Sequence, residues 1–250
     1  MKPPRVDAEG VDPMPGGGLA AEDPHERAAA AAALGLAGAR QQGGTATDLQ
    51  PCQRADNRLL DLCRSDPSPL VRAAALAALA RLDPLSRPVR SAWETAASDV
   101  DPGVRRRVAE LAPVVAAHDT NSASVVVALL EDPDVAEVAA WALGELGAAG
   151  IAAGAVARLS AIVVDDERES GDEKSSALVR ESAVAALGAL GDPEGLDAIL
   201  AGCRDRPAVR RRAVLALAPF QGPAVDAALE AALADSDWQV RQAAEDLAAD

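Results

Sequence analysis

The sequence predicts an all-α protein, a right-handed superhelix (α-solenoid) of about six short helical hairpins with a capping helix at its N-terminal side. Three observations predict it. The stretch Val179-Arg180-Glu181-Ser182-Ala183-Val184-Ala185-Ala186-Leu187-Gly188-Ala189-Leu190-Gly191 carries apolar residues at offsets of four, seven or eight, and eleven from its valine, which is the stripe of a helix with one buried face. The pattern recurs. Between copies lies a second apolar helical segment, so each unit is an antiparallel pair too small to bury its face alone.

Taking each valine as an anchor, the copies start at Val71, Val104, Val135, Val179, Val209 and Val240, with spacings of 33, 31, 44, 30 and 31 residues. The long spacing holds an acidic insertion, residues 165–176. The column four after the anchor reads Ala75, Val108, Ala139, Ala183, Ala213 and Ala244, and the column seven after reads Ala78, Leu111, Ala142, Ala186, Ala216 and Leu247. Alanine in these columns lets helix axes approach at the short end of the usual range. The preceding helices fall near residues 59–63, 92–96, 125–130, 156–163, 196–200 and 225–233. A weaker seventh copy begins at Glu26-Arg27.

In chain order, residues 1–23 carry Pro3, Pro4, Pro13, Pro15 and Gly16-Gly17-Gly18 without apolar periodicity, and read as a disordered tail. The solenoid occupies 24–250. Pro24 suits the first turn of the capping helix. A Gly-, Thr- and Gln-bearing loop is expected at 41–51. Pro113 should end or kink its helix early. Gly147 and Gly191 stand at helix C-caps, where a positive φ is needed. Gly144 and Gly188, inside the pattern, point to close helix packing. Glu245, Asp246 and Asp250 make the last copy more polar, as a terminal repeat should be.

The motif Asp-Pro-x-x-x-Val-Arg before Ala-x-x-Ala-Leu-Gly, as in Asp66-Pro67-Ser68-Pro69-Leu70-Val71-Arg72, resembles HEAT repeats of the short, bilin-lyase-like (PBS-lyase-like) kind, within the armadillo-like helical class. The resemblance covers roughly residues 24–250. It is specific for the repeat class and implies, as a second functional reading, an accessory subunit of a tetrapyrrole (bilin) lyase-like or cofactor-attachment enzyme.

Composition narrows the function. Acidic residues outnumber basic ones 39 to 24, for a net charge of −15. Non-specific nucleic-acid binding works by neutralising phosphates with Lys and Arg, so the balance argues against that partner. Cys52, Cys63 and Cys203 follow no metal-ligand spacing. Cys63 and Cys203 sit in apolar stripes as buried thiols. No apolar run is long enough to span a bilayer, and no secretory signal opens the chain. A cytoplasmic protein is expected, and the Ala-rich, Lys-poor composition is that of a high-GC bacterium.

The strongest recurring polar feature is the Arg after the anchor: Arg72, Arg105, Arg180, Arg210 and Arg241. Asp66, Asp99 and Asp235 precede three of them by six. An Asp there caps a helix and an Arg bridges to the same or a neighbouring carboxylate, a structural ladder between repeats. Two readings stand for Arg106, Arg107, Arg211 and Arg212: an anion- or acidic-peptide-binding patch, or surface side chains with snorkelling stems. Trp141 reads as core, whereas Trp93 and Trp238 stand between core and interface anchors. The acidic insertion reads as a solvated loop or a finger for a basic partner.

Deoxyhypusine hydroxylase, a related repeat enzyme, holds iron with several His-Glu pairs. This sequence has only His25-Glu26, and His118 is followed by Asp119. No catalytic residues, cofactor or metal site are therefore expected. The resulting expectation is a non-enzymatic scaffold or adaptor that binds a protein or peptide partner on its concave face, which the anchor helices line.

Overall fold

Every anchor valine is buried: Val71, Val104, Val135, Val179, Val209 and Val240. So are the alanines four residues on, Ala75, Ala139, Ala183, Ala213 and Ala244, each with zero exposure. The 3.6-residue stripe is thus the core of the protein. The structure, a computed structural model, describes residues 18–41, 49–164 and 173–248. The tail expected over 1–23 lies outside the described residues up to 17; a 3-10 turn then spans Gly18–Ala20.

The chain divides into two compact units, Met1–Leu82 and Asp83–Asp250. In the first, helices α1 (Pro24–Gln41), α2 (Leu49–Ser65) and α3 (Pro69–Leu82) pack with α3 against both of the others. The helix expected as a cap, α1, lies on α3 as one anchor helix lies on the next, so it is the second half of a partial repeat. Of the loop expected at 41–51, residues 42–48 lie outside the described residues. Helix α2 already begins at Leu49, placing Pro51 in its first turn, where its missing N–H costs nothing.

The second unit has two layers. One is the run of anchor helices: α5 (Pro102–Val115), α7 (Ala136–Glu145), α10 (Glu173–Leu190), α12 (Pro207–Ala216) and α14 (Trp238–Ala248), each packed on the next. The other holds α4 (Arg87–Ala96), α6 (Thr120–Ala128), the short α8 (Ala148–Ala152), α9 (Ala155–Val164), α11 (Leu196–Gly202) and α13 (Pro223–Leu233). Among the described residues the protein contains helices and no strand. Of the acidic insertion, residues 165–172 lie outside the described residues.

Local chemistry starts and stops these helices. Asp101 accepts the Gly103 N–H ahead of Pro102 at the start of α5, and Asp119 accepts the Ser122 N–H at the start of α6. Gly147 and Gly191 adopt φ of +50° and +62°, the positive φ the sequence demanded at these positions. Pro113 departs from expectation. Helix α5 runs through it to Val115, because a proline so near the end removes only one late backbone bond.

Small residues set the helix spacing. A Cβ on Gly188 would lie 2.7 Å from the Cα of Ala216, and one on Gly144 would lie 3.0 Å from the Cα of Ala186. In the first unit Gly35 meets Ala78 in the same way, at 2.7 Å. Each glycine stands nine after its anchor position and each alanine seven after the next anchor, so backbone touches backbone at one repeated joint. Larger groups fill the layer between: Trp93 is fully buried, and its indole N–H donates to the Val108 carbonyl at 2.9 Å.

Two outcomes are expected. Gly188→Ala, which on an open helix face would add about 1 kcal/mol, should instead destabilise by about 1–3 kcal/mol through overpacking, and more than Gly144→Ala, as read from urea denaturation. Burial pushes the Cys203 thiol up to about 11, so in the native protein at neutral pH it should resist iodoacetamide in a peptide-mapped alkylation and react on unfolding.

Candidate functional site

Two arrangements of polar side chains stand out, one structural and one open to solvent. The structural one is the arginine ladder. The ladder arginines reach in two directions. Nη1 donates to a backbone carbonyl of the arginine's own turn from Arg72 to Asp66, Arg105 to Asp99, Arg210 to Asp205 and Arg241 to Asp235, at 2.7–2.9 Å. From Arg105, Arg180 and Arg210, other nitrogens reach the carboxylate of the following repeat. Arg180 Nε and Nη2 donate to Asp205 at 2.6 and 3.1 Å, and Arg210 Nε and Nη2 donate to Asp235 at 2.8 and 2.7 Å. Arg27 holds Asp66 at 2.8 and 3.0 Å, and Arg105 Nε donates to Asp132.

The carboxylates do double duty. Their other contacts fasten their own turns, with Oδ1 of Asp66, Asp132, Asp205 and Asp235 accepting from Ser68, Asp134, Arg206 and Asp237 N–H respectively. The bidentate bond from Arg210 brings Asp235 below the ordinary carboxylate range, and the bond from Arg105 does the same for Asp132. At Asp66 and Asp205 burial works to raise the value, but the bonds from Arg27 and Arg180 and from backbone N–H groups outweigh it. The same pairing raises Arg27, Arg105 and Arg210.

Sequence spacing located the arginines but missed three partners. Arg27 was present only as part of the weak first copy. Asp205 stands five before Arg210 because its turn is one residue shorter, and Asp132 has no arginine in its own repeat, where Ala136 takes the place. The Asp132-Pro133 dipeptide was the available signal.

The cationic clusters are not free cations. Arg106 and Arg107 share Glu110 at 3.5 and 2.6 Å, and Arg211 and Arg212 share Glu181 at 3.9 and 3.5 Å. Helices α7 and α10 stand between α5 and α12, so the two clusters do not meet in one patch. Trp93 is core and unavailable to a partner. Trp238, 65% exposed at the start of α14, stays an open surface position.

The open arrangement centres on Trp141, which corrects the expectation that it is core: it is 46% exposed. Six residues from its anchor turn it about 240° around the helix, away from the buried stripe. Beside it α7, α10 and α12 enclose a groove of about 400 Å³. Its floor is Gly144, Ala185, Ala186 and Ala189, the small residues of the α7–α10 joint. Its walls are Trp141, the half-exposed Leu178, and the charged Glu137, Glu145, Glu181 and Arg212. Glu137 and Glu145 stand one turn before and one turn after Trp141 on the same face of α7.

Comparison with known proteins bears on the fold. A crystal structure titled as an engineered protein, a Northeast Structural Genomics Consortium target, superposes with a TM-score of 0.50 at 20% identity, covering 92% of this chain and 65% of that one. The fold is an α-solenoid. One family model, of HEAT repeats, matches residues 172–249, and another, of the HEAT repeat, matches residues 57–85. A second engineered protein from the same consortium aligns over 91% of this chain and 90% of that one, at 19% identity and a TM-score of 0.45. The solenoid spans about two thirds of the first engineered chain. No curated protein matches it. Among the described residues no helix is long and apolar enough to cross a membrane.

The ladder has a measurable signature. An aspartate whose folded value lies below its unfolded value of about 3.9 contributes stability that is complete above that pH and is lost as pH falls through the folded value. Stability should therefore hold from neutral pH to about 4 and decline below it. Asp205→Ala, which removes both bonds to Arg180 and the turn bond to Arg206, should cost about 2 kcal/mol at neutral pH in denaturant unfolding and flatten that acid decline.

Proposed function

We propose that the protein is a non-enzymatic scaffold that holds a protein or peptide partner against the exposed face of its anchor helices, with the groove at Trp141 as the centre of contact. The observation that carries this reading is a large aromatic side chain left half exposed beside a concave floor of small residues. Buried tryptophan serves packing; a tryptophan on the rim of a groove supplies contact area at little entropic cost and is enriched at binding hot spots. The close-packed joint beneath it makes the surface preorganised, so binding need not spend free energy on ordering the backbone. The charge of −15 speaks for a partner that is neutral or basic rather than a nucleic acid.

A photocrosslinking amino acid at Ala185, in the groove, and at Ala231, on α13 in the other layer, tests it. In cells, the Ala185 position should yield a discrete crosslinked protein and the Ala231 position none. Equal yields, or none from Ala185, would remove the scaffold reading. Absorbance of the purified protein separates the second role implied by the repeat resemblance: a bound tetrapyrrole would favour an accessory subunit of an attachment enzyme, and a colourless protein the scaffold.

A further inference from the structure

We infer that the groove recognises a basic peptide segment of its partner, laying one arginine or lysine side chain across the indole of Trp141 between Glu137 and Glu145, with a neighbouring apolar side chain against Leu178. The inference rests on the scaffold reading and adds the chemistry of the occupant.

Charge complementarity carries it. Of the four charged side chains that line the groove among the described residues, Glu181 is already engaged by Arg211 and Arg212. Arg212, the one cation among those four, is spent on that contact. Among the described residues Glu137 and Glu145 have no ion-pair partner, and both are exposed. They are spaced Glu-x-x-x-Trp-x-x-x-Glu along α7, so two uncompensated carboxylates bracket one aromatic ring at a separation of one helical turn on each side. A cation over an indole face is attracted by the ring quadrupole, and a guanidinium adds planar stacking and donors for both carboxylates. A carboxylate-bearing side chain in the same place would meet repulsion from both ends. The apolar half of the groove completes the match. Leu178 is half exposed on the facing helix α10, and the alanines and Gly144 beneath leave room for a side chain to lie flat.

Titration of the full chain, 15N-labelled, with acetyl-Leu-Arg-amide in about 0.15 M salt reads the indole N–H resonances directly. Trp141→Phe and Trp238→Phe assign them. The Trp141 resonance should shift saturably, that of the buried Trp93 should not move, and acetyl-Leu-Glu-amide should leave Trp141 in place. Glu137→Gln/Glu145→Gln should weaken the Leu-Arg probe about tenfold. The charge-matched pair Asp226→Asn/Glu230→Gln on α13 should leave it unchanged. A Trp141 resonance that stays still, one that responds equally to both dipeptides, or equal weakening by the α13 pair would overturn the inference. If that happens while Ala185 still crosslinks a partner, the scaffold stands and only the basic occupant falls.

Discussion

Everything in this protein depends on how closely one anchor helix lies on the next. At three joints a glycine faces an alanine of the following repeat with backbone against backbone, leaving no room for even a methyl group at the tighter two. A chain with so few aromatic residues has no large side chains to fill wide spaces between helices. It gains its dispersion contacts by bringing the helices together. The alanine columns are therefore not filler. They permit contact along whole helical turns, and they fix the register in which every other side chain, polar or aromatic, is presented.

The arginine ladder follows from that register. With the helices this close, the arginine after one anchor reaches the turn of the next repeat and finds there a carboxylate whose second oxygen is occupied in holding the turn. One aspartate thus closes its own hairpin and receives the preceding one. Such pairs are largely buried and hydrogen-bonded to each other, the condition under which charged groups specify an arrangement without leaving an unsatisfied charge. The apolar stripe says that helices stack; the ladder says in which alignment.

Much of this was legible in the sequence, and the gaps have physical causes. The anchor valines, the glycine caps and the Gly144 and Gly188 contacts follow from a period of 3.6 residues and the absence of a Cβ, both visible in one dimension. Asp205 and Asp132 were not, because a bidentate pair between repeats is set by turn geometry, and one turn is a residue shorter while the other serves an arginine 27 positions upstream. Trp141 was misjudged because neighbouring alanines suggested a core, although its offset of six from the anchor places it opposite the stripe. The column shared by Glu110, Ala185, Leu215 and Asp246 carries that information. Pro113 was overestimated because the penalty for a helical proline depends on how many bonds remain downstream of it.

The ladder skips one rung. Ala136 stands where an arginine would be, so the turn between α9 and α10 is not asked to present a carboxylate to the repeat before it. Between those helices lie residues 165–172 of the acidic insertion, and its last four residues already belong to α10. Lengthening a loop costs little entropy by itself; what normally forbids it in a stacked array is the stranding of a half-buried charge. Here no charge is waiting. The chain has grown at the turn that no ladder arginine calls on, which makes the α9–α10 turn the natural place to graft a foreign segment.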